Sequence, residues 1–66
     1  GLYEKALEQY RAALEIDPQF AAAYYDSGLA WLALDRPDLA REAFYAALEL
    51  APDCDVCWEA LQSLDE

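Results

Sequence analysis

The feature that most constrains this chain is that it overlays on itself. Displaced by thirty-four residues, Ala6 falls on Ala40, Glu8 on Glu42, Ala12 on Ala46, Ala13 on Ala47, Leu14 on Leu48, Glu15 on Glu49 and Pro18 on Pro52. The same shift sets Tyr10 against Phe44 and Tyr24 against Trp58. This is an internal repeat, with residues 24–52 the fullest copy and the remainder partial copies of it.

The periodicity inside the copies is helical. From Leu2 to about Ile16, Tyr3, Ala6, Leu7, Tyr10, Ala13 and Leu14 recur at intervals of three and four, with Glu4, Lys5, Glu8, Arg11 and Glu15 largely outside the stripe. Asp17-Pro18 ends that helix, because proline lacks an amide donor and pushes the preceding residue out of helical geometry. A second helix, about Phe20 to Leu34, is apolar almost all round, with Asp26 its only charge before Asp35, so it needs cover on more than one side. Gly28 in its interior costs about 1 kcal/mol relative to alanine, which suggests that another backbone passes close. The expected crossing sets Gly28 and Ser27 against Ala40 and Ala43 or Ala47, with Tyr24, Trp31 and Phe44 to either side. Asp35-Arg36-Pro37-Asp38 turns into a third helix that runs to about Leu50 and is closed by Pro52. The fourth, about Asp55 to Leu64, has Val56, Trp58, Leu61 and Leu64 as its apolar side.

Within this frame Tyr24-x2-Ser27-Gly28-x2-Trp31, then Ala40-x3-Phe44, then Pro52, resembles the tetratricopeptide pattern W-x2-L-G-x2-Y, A-x3-F and P. Half-copies flank it: Ala6-x3-Tyr10 with Pro18 before, and Trp58-x2-Leu61 after, fading at Gln62 and Asp65. The resemblance covers the whole chain. It implies an all-α fold of antiparallel helix–turn–helix repeats in a right-handed superhelix. Residues 1–18 would be the second helix of a repeat, 19–52 one complete repeat and 53–66 the first helix of the next. The chain opens in mid-repeat at Gly1 and contains no Met, so a segment of a longer protein is expected, and no targeting signal can be read in either direction.

Fourteen acidic residues against four basic ones give a net charge of −10. That balance opposes nucleic-acid phosphates and anionic lipid, and no run approaches the roughly twenty apolar residues of a spanning helix. Neither a nucleic-acid nor a membrane partner is expected. The acids are spread along the helices, as on a solvated outer face. Sixty-six residues make one domain, small enough that a single core stabilises it only marginally.

Little in the chain points to catalysis. With no His, Ser27 and Ser63 lack the usual partner that activates a serine nucleophile. Glu4 and Glu8, or Asp35 and Asp38, sit at ordinary helix and cap spacings rather than as an acid/base pair. No glycine-rich phosphate loop is present, and no cofactor is expected. Tyr3, Tyr10, Tyr24, Tyr25, Trp31, Tyr45 and Trp58 fall mostly on inter-helix stripes, where packing is the simpler use. Cys54-Asp55-Val56-Cys57 is the one chemical candidate. Its position at a helix start favours thiolate, whereas Asp53 and Asp55 oppose a nearby anion and no strand pattern surrounds it. A zinc site would need two further ligands from a second chain. The simplest expectation is two small, half-buried residues in a tolerant inter-repeat loop, cross-linking nothing distant and binding no metal. A thiol- or zinc-dependent assembly module built on Cys54 and Cys57 is the alternative to a scaffold.

The resemblance implies a non-enzymatic protein–protein interaction scaffold whose first helices line a concave face. Carried onto this chain, that face comprises Ala22, Tyr25, Asp26, Leu29, Leu32 and Ala33, then Val56, Glu59, Ala60 and Ser63. It is apolar with an acidic edge, suited to an apolar or basic peptide or partner helix. A branch of the family clamps C-terminal carboxylates with lysine, asparagine and arginine. The matching places here hold Asp26, Val56 and Ala60, so an acidic C-terminal peptide is not expected to bind. The unpaired end helices suggest a second surface: Tyr3, Ala6, Tyr10 and Ala13 on the first, and Trp58 and Leu61 on the last, for head-to-tail homo-oligomer stacking.

Overall fold

The computed structural model describes residues 1–64, so the expected end of the last helix at Asp65 and Glu66 lies outside the described residues. Four helices account for nearly all of it: α1 (Leu2–Ile16), α2 (Ala21–Ala33), α3 (Pro37–Leu50) and α4 (Asp55–Leu64), with no strand among the described residues. The all-α expectation holds, and the helix limits fall within a residue of those read from the spacing, except the third, for which the sequence named only its turn and its end. Each helix packs on the one before it, most extensively α2 on α3, giving a slab of 29 × 25 × 14 Å.

The thirty-four-residue period recurs in the backbone. Asp17 and Ala51 both precede a proline and are both extended, at φ −134°, ψ 90° and φ −137°, ψ 80°. Each donates its amide to the carbonyl one helical turn back, Asp17 to Ala13 and Ala51 to Ala47, at 2.8 Å in both cases. The carbonyls of Asp17 and Ala51 in turn accept from Phe20 at 3.1 Å and Cys54 at 3.0 Å. Asp17 Oδ1 adds a bond from the Gln19 amide at 3.1 Å, a side chain mimicking a backbone turn.

The α2–α3 turn is closed differently. Asp35 has φ 60°, in the left-handed region that L residues enter at a cost. Its amide reaches the Leu32 carbonyl at 3.0 Å while the Arg36 amide reaches Trp31 at 2.9 Å. This paired bonding satisfies the last carbonyls of α2 and is the arrangement that usually recruits glycine. Pro37 at the first position of α3 needs no amide partner, and Asp38 lies at the positive end of the helix dipole. At the other end of the chain, the amino group of Gly1 meets Glu4 Oε1 at 3.1 Å. Glu4's own backbone N–H, and then that amino group, hold its carboxyl below the usual range. Fully exposed, the pair contributes little to stability.

The main buried cluster joins α3 and α4 through Ala40, Phe44, Ala47, Leu48, Cys57 and Leu61, bordered by Tyr24, Tyr25 and Trp31 from α2 and by Cys54, Ala60 and Leu64, and Ala23 and Ala30 of α2 with Ala43 of α3 are buried besides. Phe44 is fully buried at its centre. The expected approach of a second backbone to Gly28 is not what occurs. The atoms facing Gly28 belong to the Phe44 ring, and a Cβ built there would lie 2.8 Å from Cδ1 and Cζ and closer still to Cε1. Ala40, Ala43 and Ala47 of α3 are buried, and the absent side chain of Gly28 leaves room for an aromatic ring rather than for a backbone. Ser27 Oγ, also buried, donates to the Ala23 carbonyl at 2.7 Å, so its polar atom is satisfied within α2.

Candidate functional site

On α2, residues 22, 25, 26, 29, 32 and 33 recur at helical spacing along the edge opposite the buried Ala23, Ser27 and Ala30. Ala22, Leu29, Leu32 and Ala33 are exposed, while Tyr25 and Asp26 are half-buried. Tyr25 has a second contact, its ring centroid 5.7 Å from that of Phe44 and tilted by 45°, so only part of its surface faces outward. On α4, Val56, Glu59 and Ser63 are exposed and Ala60 is half-buried against the core. Tyr25 and Ala60 border the same buried cluster. Leu29 at 43 %, Leu32 at 37 % and Val56 at 49 % exposure are large apolar side chains left in water, with Asp26 and Glu59 on the same two helices.

The proposed end-helix surface needs one correction. Leu61 is 4 % exposed and belongs to the core. Cys57, Leu61 and Leu64 stand one turn apart and form the stripe that meets α3, whereas Trp58, a single residue round from Cys57, is turned outward at 49 % exposure. Trp58 Nε1 donates to the Pro52 carbonyl at 3.1 Å, fixing the indole over the preceding turn. On α1, which buries no residue, Tyr3 is exposed and Ala6, Tyr10 and Ala13 are half-buried.

Cys54 and Cys57 are joined by a disulfide, with Cα atoms 5.3 Å apart. The expectation of two half-buried cysteines in the inter-repeat loop holds for Cys54 and not for Cys57. Cys54 immediately precedes α4, and Cys57 lies inside it with no solvent exposure. The Cys57 amide donates to Cys54 Sγ at 3.3 Å. Among the described residues no group of three or more His, Cys, Asp or Glu is placed to hold a metal ion.

A feature unforeseen in the sequence is a groove of ≈ 410 Å³ walled by α1 and α3 and floored by α2, where Leu7, Leu14, Tyr24, Trp31, Leu39 and Ala46 meet Arg11, Glu15 and Glu42. Leu7 and Leu14 are seven residues apart, as are Leu39 and Ala46. That spacing puts each pair on one line of its helix, and all four residues are half-buried. Among the described residues no helix is long and apolar enough to cross a membrane.

Antiparallel helix pairs that repeat with their turns, close through small residues and leave apolar side chains on an outer edge define an α-solenoid built to present a surface. Profiles described as "TPR repeat" and "Tetratricopeptide repeat" match residues 1–35 and 21–54, and the chain belongs to the tetratricopeptide repeat family. It is 34 % identical over 64 residues to tetratricopeptide repeat protein 37 of Xenopus laevis, covering 97 % of this chain and 4 % of that protein. An uncharacterised protein of Methanocaldococcus jannaschii is 40 % identical over 48 residues, which cover 73 % of this chain and 56 % of the relative. The chain therefore spans only part of the length of each. Repeats of this family generally mediate protein–protein interaction and are typically non-enzymatic.

Proposed function

We propose that this chain is a scaffold segment that docks a peptide or partner helix along the outward edges of α2 and α4. In this reading residues 19–52 form one repeat, flanked by the second helix of a preceding repeat and the first helix of a following one. The observation that carries it is the exposed set Leu29, Leu32 and Val56, interspersed with Asp26 and Glu59, on a chain of net charge −10. Apolar side chains supply area and the acids select sign, so the ligand is an apolar segment bearing lysine or arginine. Calorimetric titration with a short peptide of alternating leucine and lysine tests this against a leucine/glutamate peptide and an acidic C-terminal peptide. Saturable heat is expected only with the first, and it should weaken about tenfold or more in L29A/L32A, the size of a lost apolar anchor. Equal binding of the acidic peptides contradicts the reading.

A second reading has its own support. Trp58, at 49 %, and Tyr3, at 51 % exposure, are large side chains in water on the two end helices. Stacking of one copy's α4 on the next copy's α1 would cover them together with Ala6, Tyr10 and Ala13, and the contact, being heterologous, need not close. Sedimentation should then show mass rising with concentration, abolished by W58E; a monomer throughout removes this reading. The thiol- or zinc-dependent alternative has less behind it, because a sulfur bonded to its neighbour is not a thiolate ligand.

A further inference from the structure

We infer that the α3–α4 turn is a thiol–disulfide exchange site, with Cys54 the sulfur attacked by an incoming dithiol and Cys57 the buried resolving sulfur. The inference is independent of the peptide-binding reading. Three observations combine: the two sulfurs are bonded, Cys57 has no exposure while Cys54 is only half-buried, and the Cys57 amide at the start of α4 points at Cys54 Sγ from 3.3 Å.

Exchange requires a thiolate to approach one sulfur in line with the bond that breaks. Of the two residues, Cys54 is the one with surface in contact with solvent. Attack there forms a mixed disulfide with Cys54, and the electron pair of the broken S–S bond leaves on Cys57 Sγ, which takes a proton from water. The second thiolate of the dithiol then attacks its own sulfur in the mixed disulfide, closes a cyclic disulfide and releases Cys54 as thiolate. Two electrons pass from the dithiol to the chain; one proton reaches Cys57 by way of water, and the other goes to solvent while Cys54 stays a thiolate. The departing Cys54 thiolate is received by the Cys57 N–H at the positive end of α4, where an anion is favoured. Asp53 and Asp55 are exposed and act against it through a screening solvent. Cys57, in the buried cluster with Phe44, Leu48 and Leu61, has no comparable support for charge.

The test reduces the native chain with dithiothreitol, removes it, and labels briefly with iodoacetamide near neutral pH before peptide mapping. Cys54 is expected to be alkylated about tenfold or more faster than Cys57. Equal labelling, or faster labelling of Cys57, overturns the assignment. A complementary arm uses an aromatic disulfide, 5,5′-dithiobis(2-nitrobenzoate). The reduced native chain should release two equivalents of thionitrobenzoate and reform its internal bond, whereas C57A should release one and retain the other on Cys54. Should C57A fail to fold, the labelling ratio in the unaltered chain decides alone. A native chain that retains the adduct overturns the proposal.

Discussion

At the scale of single residues, two backbone positions set the stability of the helical hairpin. Gly28→Ala gains helix propensity of about 1 kcal/mol, but the new methyl must displace the Phe44 ring, which is fully buried. Overpacking of a closed core costs about 1–3 kcal/mol, so net destabilisation is expected in chemical denaturation, with part of it recovered in G28A/F44L. A variant as stable as the parent would show that the ring yields freely. Asp35 is the opposite case. At φ 60° with its turn bonds already made, replacement by glycine removes a steric cost and should raise stability by up to about 1 kcal/mol. On a domain this small that is about 4–8 °C in Tm. Asp35→Ala, which keeps a Cβ and loses aspartate's tolerance of that region, should fall below the parent.

At the scale of helices, much was legible because the period, the prolines and the apolar stripes agree with one another. Asp17-Pro18 and Ala51-Pro52 end α1 and α3 with the same geometry for the same steric reason. What spacing could not supply was direction around the helix axis to better than one residue. Val56, Trp58, Leu61 and Leu64 read as one apolar side, yet α4 buries Cys57 and Leu61 and turns Trp58 outward. Cys54 sits in the turn as expected, whereas Cys57, small and weakly polar, lies inside α4 and in the core. The groove between α1 and α3 was invisible because it depends on how far two non-adjacent helices stand apart. The helices also differ in burial: α1 has half-buried residues but no buried one, whereas α3 buries Ala40, Ala43, Phe44, Ala47 and Leu48. Native-state hydrogen exchange should therefore be fastest in α1 and slowest in α3, by about tenfold or more in protection. Protection in α1 equal to that in α3 would contradict this. Reduction of Cys54–Cys57 releases a short loop at the start of α4, a loss of about 2 kcal/mol on the chain-entropy account, read as a lower denaturation midpoint with reductant present.

At the scale of the whole molecule, the chain is a thin slice of solenoid, 14 Å in its shortest dimension. Such a slice buries apolar surface only against its immediate neighbours, so much of its surface remains available to partners. Three surfaces compete for one: the α2/α4 edge, the end helices with Trp58 and Tyr3, and the α1/α3 groove. With a net charge of −10, attraction to a basic segment should weaken with added salt whichever surface is used. Affinity alone therefore does not discriminate among them. Mapping amide chemical shifts of the isotope-labelled chain during titration with the leucine/lysine peptide does. Saturable shifts are expected, centred on Ala22, Asp26, Leu29, Leu32 and Val56, with Leu7, Leu14 and Leu39 unmoved. Shifts centred on those three leucines, or none that saturate, would contradict docking on the α2/α4 edge.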